Sequence, residues 1–251
     1  MELKSLGSVL KATVIAGLAA GILVSIFHFA VTEPVMDQAI EIEEQLHQVQ
    51  GVTGETLLVN RDAQKAGLFL GFIMYGITWS LLFGVAYHLA QGWLTAKRWL
   101  GRDALLVLLA GWSVALLPFL KYAANPPGVG DPATVEYRQA IFLTFVALSV
   151  ANTVLALLAY RYVRRVRKGH LRWGIALATY GAGALALYIA MPTNPDAVHM
   201  PADLVWTFRV LSFTGLVIFW AGFSGVFAWL VRPSRPAPRR RPAGLPRLRM
   251  N

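Results

Sequence analysis

Six long stretches of this sequence carry no Asp, Glu, Lys or Arg, and they constrain the fold more than any other feature. The stretches are residues 12–32, 66–96, 104–120, 139–160, 173–195 and 210–231. A helix needs roughly 17–25 residues to cross about 30 Å of hydrocarbon, and only helices or closed barrels can pair every backbone polar group there. The pattern predicts an all-α fold, a polytopic membrane bundle of about six transmembrane helices.

The predicted spans make residues 1–231 a single membrane domain. We place them near 9–31, 67–90, 103–120, 139–160, 173–192 and 208–231. The alternative for the first stretch is a signal peptide, because Lys4 and Lys11 precede it, but it has no clear A-x-A cleavage site. We therefore expect an uncleaved helix. Residues 232–251 are rich in Pro and Arg, which predicts a disordered basic tail.

Composition supports a membrane protein and excludes several kinds of site. Apolar residues make up 56% of the chain and charged residues 14%, against roughly 45–50% and about 25% in soluble domains. There is no cysteine, which excludes disulfides, thiolate metal sites and cysteine nucleophiles. The sequence has no P-loop, H-E-x-x-H or G-x-S-x-G motif. We expect no enzyme activity and no permanently bound cofactor.

The distribution of charge predicts the orientation. With the N-terminus in the cytoplasm, 18 of the 23 basic residues and only 2 of the 13 acidic residues lie on the inner side. The positive-inside rule then predicts that both termini are cytoplasmic. The basic tail suits anionic membrane lipids as a partner. We do not expect nucleic-acid binding, because no aromatic platform is interleaved with the arginines.

The first outer loop predicts an amphipathic helix over residues 34–50. Its apolar face consists of Val35, Ala39, Ile42, Leu46 and Val49, which repeat at helical spacing. We expect this face to turn toward the membrane or the bundle. The candidate cation-binding residues of this loop are Glu33, Asp37, Glu41, Glu44 and His47. Carboxylates and imidazole bind divalent cations; the alternative is a solvated acidic surface.

The second and third outer loops, residues 121–138 and 192–209, align at an offset of 69. The identical pairs are Asn125 and Asn194, Pro126 and Pro195, Val129 and Val198, Pro132 and Pro201, and Ala133 and Ala202. The alignment predicts a parallel repeat of two hairpins whose loops lie side by side. Further candidate metal ligands are Asn125, Asp131, Asn194, Asp196 and His199; the alternative is that they only shape turns. Asp131 followed by Pro132 is typical of a helix N-cap.

Few polar groups lie within the spans. His28, near the outer end of the first span, is a further candidate metal ligand, although an interfacial role is the alternative. Asn152 lies near the middle of the fourth span and either forms an interhelical hydrogen bond or lines a path. Gly17 with Gly21, and Gly67 with Gly71, predict close helix packing.

The segment from Leu117 to Thr144 resembles the bacterial CbtA family of probable cobalt transporter subunits. The matching residues are Pro118, Lys121, Tyr122, Asn125, Pro126, Pro127, Gly130, Asp131, Pro132 and Arg138. The resemblance implies a protein of the bacterial cytoplasmic membrane, usually counted at about five spans. It also implies Co²⁺ as the transported ion and a small single-span, histidine-rich CbtB-like partner subunit.

Three functions remain open from the sequence. The first is a membrane subunit of a cobalt uptake transporter, whose outer acids concentrate Co²⁺. The second is a non-transporting membrane scaffold or assembly subunit, which the lack of charged residues in the middle of the spans favours. The third is a membrane enzyme acting on a lipid or polyprenyl substrate, and the absence of a recognisable catalytic motif counts against it.

Overall fold

The computed structural model describes residues 5–49, 60–91, 102–166 and 171–232. Within these ranges the regular structure is helical, without strands. Six helices are long and apolar enough to cross a membrane. The predicted all-α, multi-pass membrane fold is confirmed. The predicted tail lies outside the described residues from position 233 onward.

The described ranges contain eight α-helices and three shorter helical segments. The helices are α1 (Leu6–Phe27), α2 (Glu33–Val49), α3 (Arg61–Ala90), α4 (Arg102–Gly111), α5 (Leu117–Lys121), α6 (Val135–Val166), α7 (Leu171–Ala190) and α8 (Ala202–Leu230). Two π-helical segments join α1 to α2 and α4 to α5; they are His28–Thr32 and Trp112–Leu116. A 3-10 turn, Pro132–Thr134, precedes α6.

Each π-helical segment lies just before a proline. Pro34 follows the first segment by two residues, and Pro118 follows the second in the same way. A proline ring within a helix collides with the carbonyl four residues earlier and offers it no N–H. Those carbonyls belong to Ala30 and Val114, the middle residues of the two segments. The wider π turn accommodates the proline, so the helix continues from α1 into α2 and from α4 into α5.

α1 and α3 approach each other closely through glycines. A Cβ atom built on Gly17 would collide with the carbonyl of Gly76, and one on Gly21 would lie 2.8 Å from the carbonyl oxygen of Phe72. The predicted close packing at Gly17 and Gly21 is confirmed, because only small residues allow such an approach. The same prediction is wrong for Gly67 and Gly71. A Cβ on either would meet nothing within 4 Å in the described part of the chain.

Aromatic side chains of α8 fill the space between α1, α3 and α4. The buried ones are Phe219, Trp220, Phe223 and Phe227, each at most 2% exposed. Their ring partners on α3 are Tyr75, Trp79, Phe83 and Tyr87. On the other side of α8, the Ser224 hydroxyl donates a 3.0 Å hydrogen bond to the carbonyl of Ala104 in α4. We call α1, α3, α4 and α8 the core bundle.

The third span connects the core bundle to a peripheral pair, α6 and α7. Its first half, α4, packs on α8, whereas α5 and the preceding π-helical segment pack on α6. Asn152 of α6 donates a 3.1 Å hydrogen bond to the backbone carbonyl of Tyr180 in α7, which is the first of the two roles that the sequence left open for it. α7 packs along α6, while α8 belongs to the core bundle. The two proposed hairpins therefore pack differently, and their likeness lies in their loops.

Candidate functional site

The candidate site lies at the end of the molecule that carries α2, the start of α3 and two Pro-rich loops. We call it the loop end, and the loops are residues 122–131 and 191–201. The Tyr122 hydroxyl donates a 2.7 Å hydrogen bond to the carbonyl of Pro192, and Lys121 Nζ lies 2.9 Å from the carbonyl oxygen of Tyr188. The prediction that the two loops lie side by side is confirmed.

Asp196 fastens the two loops together. Its carboxylate accepts hydrogen bonds from the Thr134 hydroxyl at 2.8 Å and from the backbone N–H of Asp131 at 3.3 Å. Arg138 Nε lies 3.0 Å from the same carboxylate, whose side chain is only 4% exposed. The Asn194 amide oxygen accepts from the backbone N–H of Asp196 at 3.1 Å. Asp196 and Asn194 therefore stabilise the loops, as the turn interpretation expected.

Asp131 begins the helical segment that leads into the fourth span. Its Oδ1 atom accepts a 2.8 Å hydrogen bond from the backbone N–H of Ala133, and Pro132 occupies the first position of the 3-10 turn. The predicted N-cap is confirmed. Gly130, with φ of +114°, adopts a conformation that side chains rarely allow, and a Cβ there would collide with Arg138 Nη1.

An open pocket of about 430 Å³ lies between the two loops. It is lined by Gly128, Gly130, Asp131, Thr134, Pro195, Asp196, Ala197 and His199. His199 is exposed, and it lines the pocket together with Asp131 and Asp196, whereas Asn125 and Asn194 do not line it. Over the described ranges, however, no three His, Asp or Glu side chains are grouped closely enough to hold a metal ion. Among the described residues, the pocket therefore offers an incomplete set of protein ligands for a metal ion.

The acidic helix α2 is held against both the core bundle and the pocket. Val35, Ala39 and Ile42 pack with Met200 and Leu204 of the second loop and α8, which confirms the predicted direction of the apolar face. Farther along, Leu46 is 41% exposed. The side chains of His47 and Val49 lie outside the described part of the structure.

Glu33 is a candidate cation-binding residue that does not belong to a solvated acidic surface. It is 4% exposed and forms an ion pair with Arg61 of α3. The unbroken helix through the π segment turns Glu33 toward α3, which the sequence pattern did not indicate. Asp37 also pairs with Arg61, at 2.7 Å, and with Lys65 at 3.2 Å. Asp37 lies outside the predicted first span, residues 9–31. The hydrogen bond from Arg61 holds the pKa of the Asp37 carboxylate below its usual value.

The remaining acids of α2 lie near the pocket or face outward. Glu41 and Glu44 are exposed, which is compatible with both a cation-binding role and a solvated acidic surface. Glu43 packs over Gly128. A Cβ built on Gly128 would lie only 3.0 Å from the Glu43 carboxyl carbon. Gly128 also lines the pocket, so α2 borders it.

The model of one family matches residues 6–232, nearly the whole chain. The chain belongs to the CbtA family. That family is described as a probable cobalt transporter subunit. Searches of the curated proteins and of the solved structures found no match.

Two of the candidate ligands in this CbtA-family chain, His28 and Asn125, already have hydrogen-bond partners within the protein. The His28 ring is 7% exposed, with Nδ1 2.8 Å from the Thr32 hydroxyl. It stacks on Phe72, and a Cβ built on Gly215 would collide with its Nε2. His28 thus lies inside the core bundle, away from the pocket-lining residues.

The second of these candidate ligands, Asn125, lies in the first Pro-rich loop and already has a hydrogen-bond partner. Its amide oxygen accepts a 2.7 Å hydrogen bond from Arg209 of α8. Sequence reasoning missed the basic partners at this end: Arg209 for Asn125, Arg138 for Asp196, and Arg61 for Glu33. Arg138 is among the residues that match the family in sequence, and this was the available signal for it.

Proposed function

We propose that this chain is the membrane subunit of a cobalt uptake transporter, that Co²⁺ is its cargo, and that it catalyses no reaction. Membership of the CbtA family supports the cargo, since the family is described in those terms. The observation that carries the proposal is the open pocket at the loop end, where an imidazole and two carboxylates line one space.

In this proposal the pocket captures the cation before transport. Co²⁺ accepts both imidazole nitrogen and carboxylate oxygen as ligands. Asp196 already shares its carboxylate with Arg138 and Thr134, so exposed His199 and Asp131 are the main donors. The outward-facing Glu41 and Glu44 would raise the local cation concentration. The remaining ligands would be water or groups of a partner.

The proposed partner is a small single-span, histidine-rich subunit of the CbtB type. The word "subunit" in the family description implies a complex, and the pocket is short of protein ligands. Imidazoles supplied by a partner would complete the coordination that His199 begins. We further propose that the complex lies in the bacterial cytoplasmic membrane with both termini of this chain in the cytoplasm. In that orientation the loop end faces outward.

A second candidate function is a scaffold that assembles the complex without contacting the ion. It is favoured by the lack, among the described residues, of any group of three metal-ligating side chains. A scaffold would be needed for uptake, but its pocket residues would not influence the affinity for Co²⁺.

The uptake of radioactive Co²⁺ by cells that carry the complete transport system tests both candidates. We expect His199→Ala to raise the half-saturating Co²⁺ concentration by about ten-fold, the scale expected when a metal ligand is disturbed. His88→Ala is the matched control, because His88 lies near the opposite end of α3, and it should leave the affinity unchanged. An unchanged affinity in the His199 variant would favour the scaffold. Unchanged uptake after deletion of the whole chain would reject both candidates.

A further inference from the structure

Polar side chains meet at the midpoints of three spans. They belong to the third span, α6 and α7, and we call them the midplane cluster: Trp112, Ser113, Ser149, Asn152, Thr153 and Tyr180. The Ser113 and Thr153 hydroxyl oxygens are 2.6 Å apart, and Trp112 Nε1 donates to the Tyr180 hydroxyl at 2.6 Å. Each residue lies about halfway along its helix, so the cluster lies near the centre of the bilayer.

Helix association explains most of this cluster but not Ser149. Polar groups often join transmembrane helices through hydrogen bonds, as Asn152 and Thr153 do here. Ser149 lies on the same face of α6 and is 0% exposed. Its hydroxyl has no hydrogen-bond partner within the described part of the chain. A buried hydroxyl without a partner is costly, so its presence here points to a ligand that it meets in another state.

The chemistry of the cluster restricts that ligand. Its oxygens come from hydroxyl and amide groups, and no carboxylate is among them. Neutral oxygens cannot offset the cost of a bare divalent ion in a medium of low dielectric constant. They can accept hydrogen bonds from the water molecules that a divalent cation retains, as Mg²⁺ usually retains several in proteins.

The cluster also lies where the molecule changes its packing. The third span leaves α8 and joins α6 at the π-helical segment that contains Trp112 and Ser113. This is the boundary between the core bundle and the peripheral pair. On the α7 side, a Cβ built on Gly183 would collide with the Asn152 amide oxygen, so the helices are in close contact there. A shift of α6 and α7 relative to the third span would separate Ser113 from Thr153 and open the cluster.

We propose that the midplane cluster is a second cation site, which holds the hydrated divalent cation through its water ligands during passage. The inference rests on the proposed transport function. The loop-end pocket sets the affinity for the incoming ion, and the midplane cluster sets the rate at which it crosses. Ser149 contributes its hydroxyl only when the cation and its waters are present.

Uptake of radioactive Co²⁺, supplied as CoCl₂, tests the proposal in cells whose chromosomal copy carries Ser149→Ala. The variant removes an oxygen that makes no hydrogen bond to the described residues, so a purely structural role predicts no change. We expect the maximal rate to fall about five-fold, which corresponds to the loss of one hydrogen bond of about 1 kcal/mol. The half-saturating concentration should not change. Ser25→Ala is the control, because Ser25 is equally buried in the core bundle.

A second pair of variants guards against loss of folding. Thr153→Val removes the hydroxyl that contacts Ser113, whereas Thr153→Ser keeps it. With equal amounts of protein in the membrane, the Thr153→Val variant should have a lower maximal rate of uptake, and the Thr153→Ser variant should keep the normal rate. Normal rates in both Ser149→Ala and Thr153→Val, or an equal fall in Ser25→Ala, would overturn the midplane site while leaving the transport function intact. Cobalt uptake that does not depend on the chain at all would overturn both proposals.

Discussion

Single side chains at the loop end are committed to partners that are distant in sequence. Asp196 is held by Arg138, Asn125 by Arg209 and Glu33 by Arg61. The sequence predicted that these acids and amides lie at one end of the bundle, because each flanks a span. It could not predict their partners, since each pair joins residues from different helices or loops. Of these three residues only Asp196 lines the pocket, and its pairing leaves the exposed His199 and Asp131 as the pocket side chains with the greatest freedom to bind a ligand.

The close contact between His28 and Gly215 can be tested through the thermal stability of variants at these two positions. A Cβ at Gly215 would overlap the imidazole of His28, so we expect Gly215→Ala to lower the melting temperature of the detergent-purified protein by several degrees. Overpacking of a well-filled core typically costs about 1–3 kcal/mol. Gly225→Ala, on the same helix, meets nothing within 4 Å and should be neutral. Combining Gly215→Ala with His28→Ala should recover most of the loss; full additivity of the two changes would contradict the contact.

At the scale of elements, periodicity and proline explain what the sequence could and could not predict. The spacing of Val35, Ala39 and Ile42 predicted α2 and its buried face. It did not predict that α1 continues into α2, and a proline such as Pro34 is tolerated at a helix start but not in a regular helix interior. The π-helical segment before Pro34 removes the conflict, and the same solution recurs before Pro118.

The docking of α2 over the first Pro-rich loop predicts a specific disulfide. A Cβ built on Gly128 would lie 3.1 Å from the Cβ of Glu43, and a cysteine there would also have to adopt φ of +74° and displace the Met200 methyl group. A shift of a few tenths of an ångström would bring the two Cβ atoms to the separation of roughly 3.5–4.5 Å that a disulfide needs. The chain has no cysteine of its own. We therefore expect the Glu43→Cys, Gly128→Cys variant to form an intramolecular cross-link under mild oxidation, detected by mass spectrometry after proteolysis.

A neighbouring pair supplies the control for this cross-link. Glu44 is exposed and points about 100° away from Glu43 around the helix axis, as the geometry of 3.6 residues per turn requires. Glu44→Cys with Gly128→Cys should cross-link much more slowly. Equal rates for the two pairs would mean that α2 is not fixed over this loop.

For the whole molecule, apolar stretches predicted the number of spans but not their arrangement. α8 packs against α1 although some 200 residues separate them, and no local pattern reports such a contact. The equal offset between the two Pro-rich loops predicted that they meet, because each connects neighbouring spans at the same end. It also suggested equivalent hairpins, but α7 packs on α6 and α8 joins the core bundle.

Reporter fusions test the orientation that the uptake proposal requires. Of the 23 basic residues, 18 lie on the segments that we assign to the cytoplasm, and the loop end carries most of the acids. Basic residues in short loops resist translocation, so a reporter fused after Lys168 should be active in the cytoplasm. One inserted at Gly128 should be active outside. The opposite result at either position would mean that the pocket faces the cytoplasm, where His199 could not capture external Co²⁺.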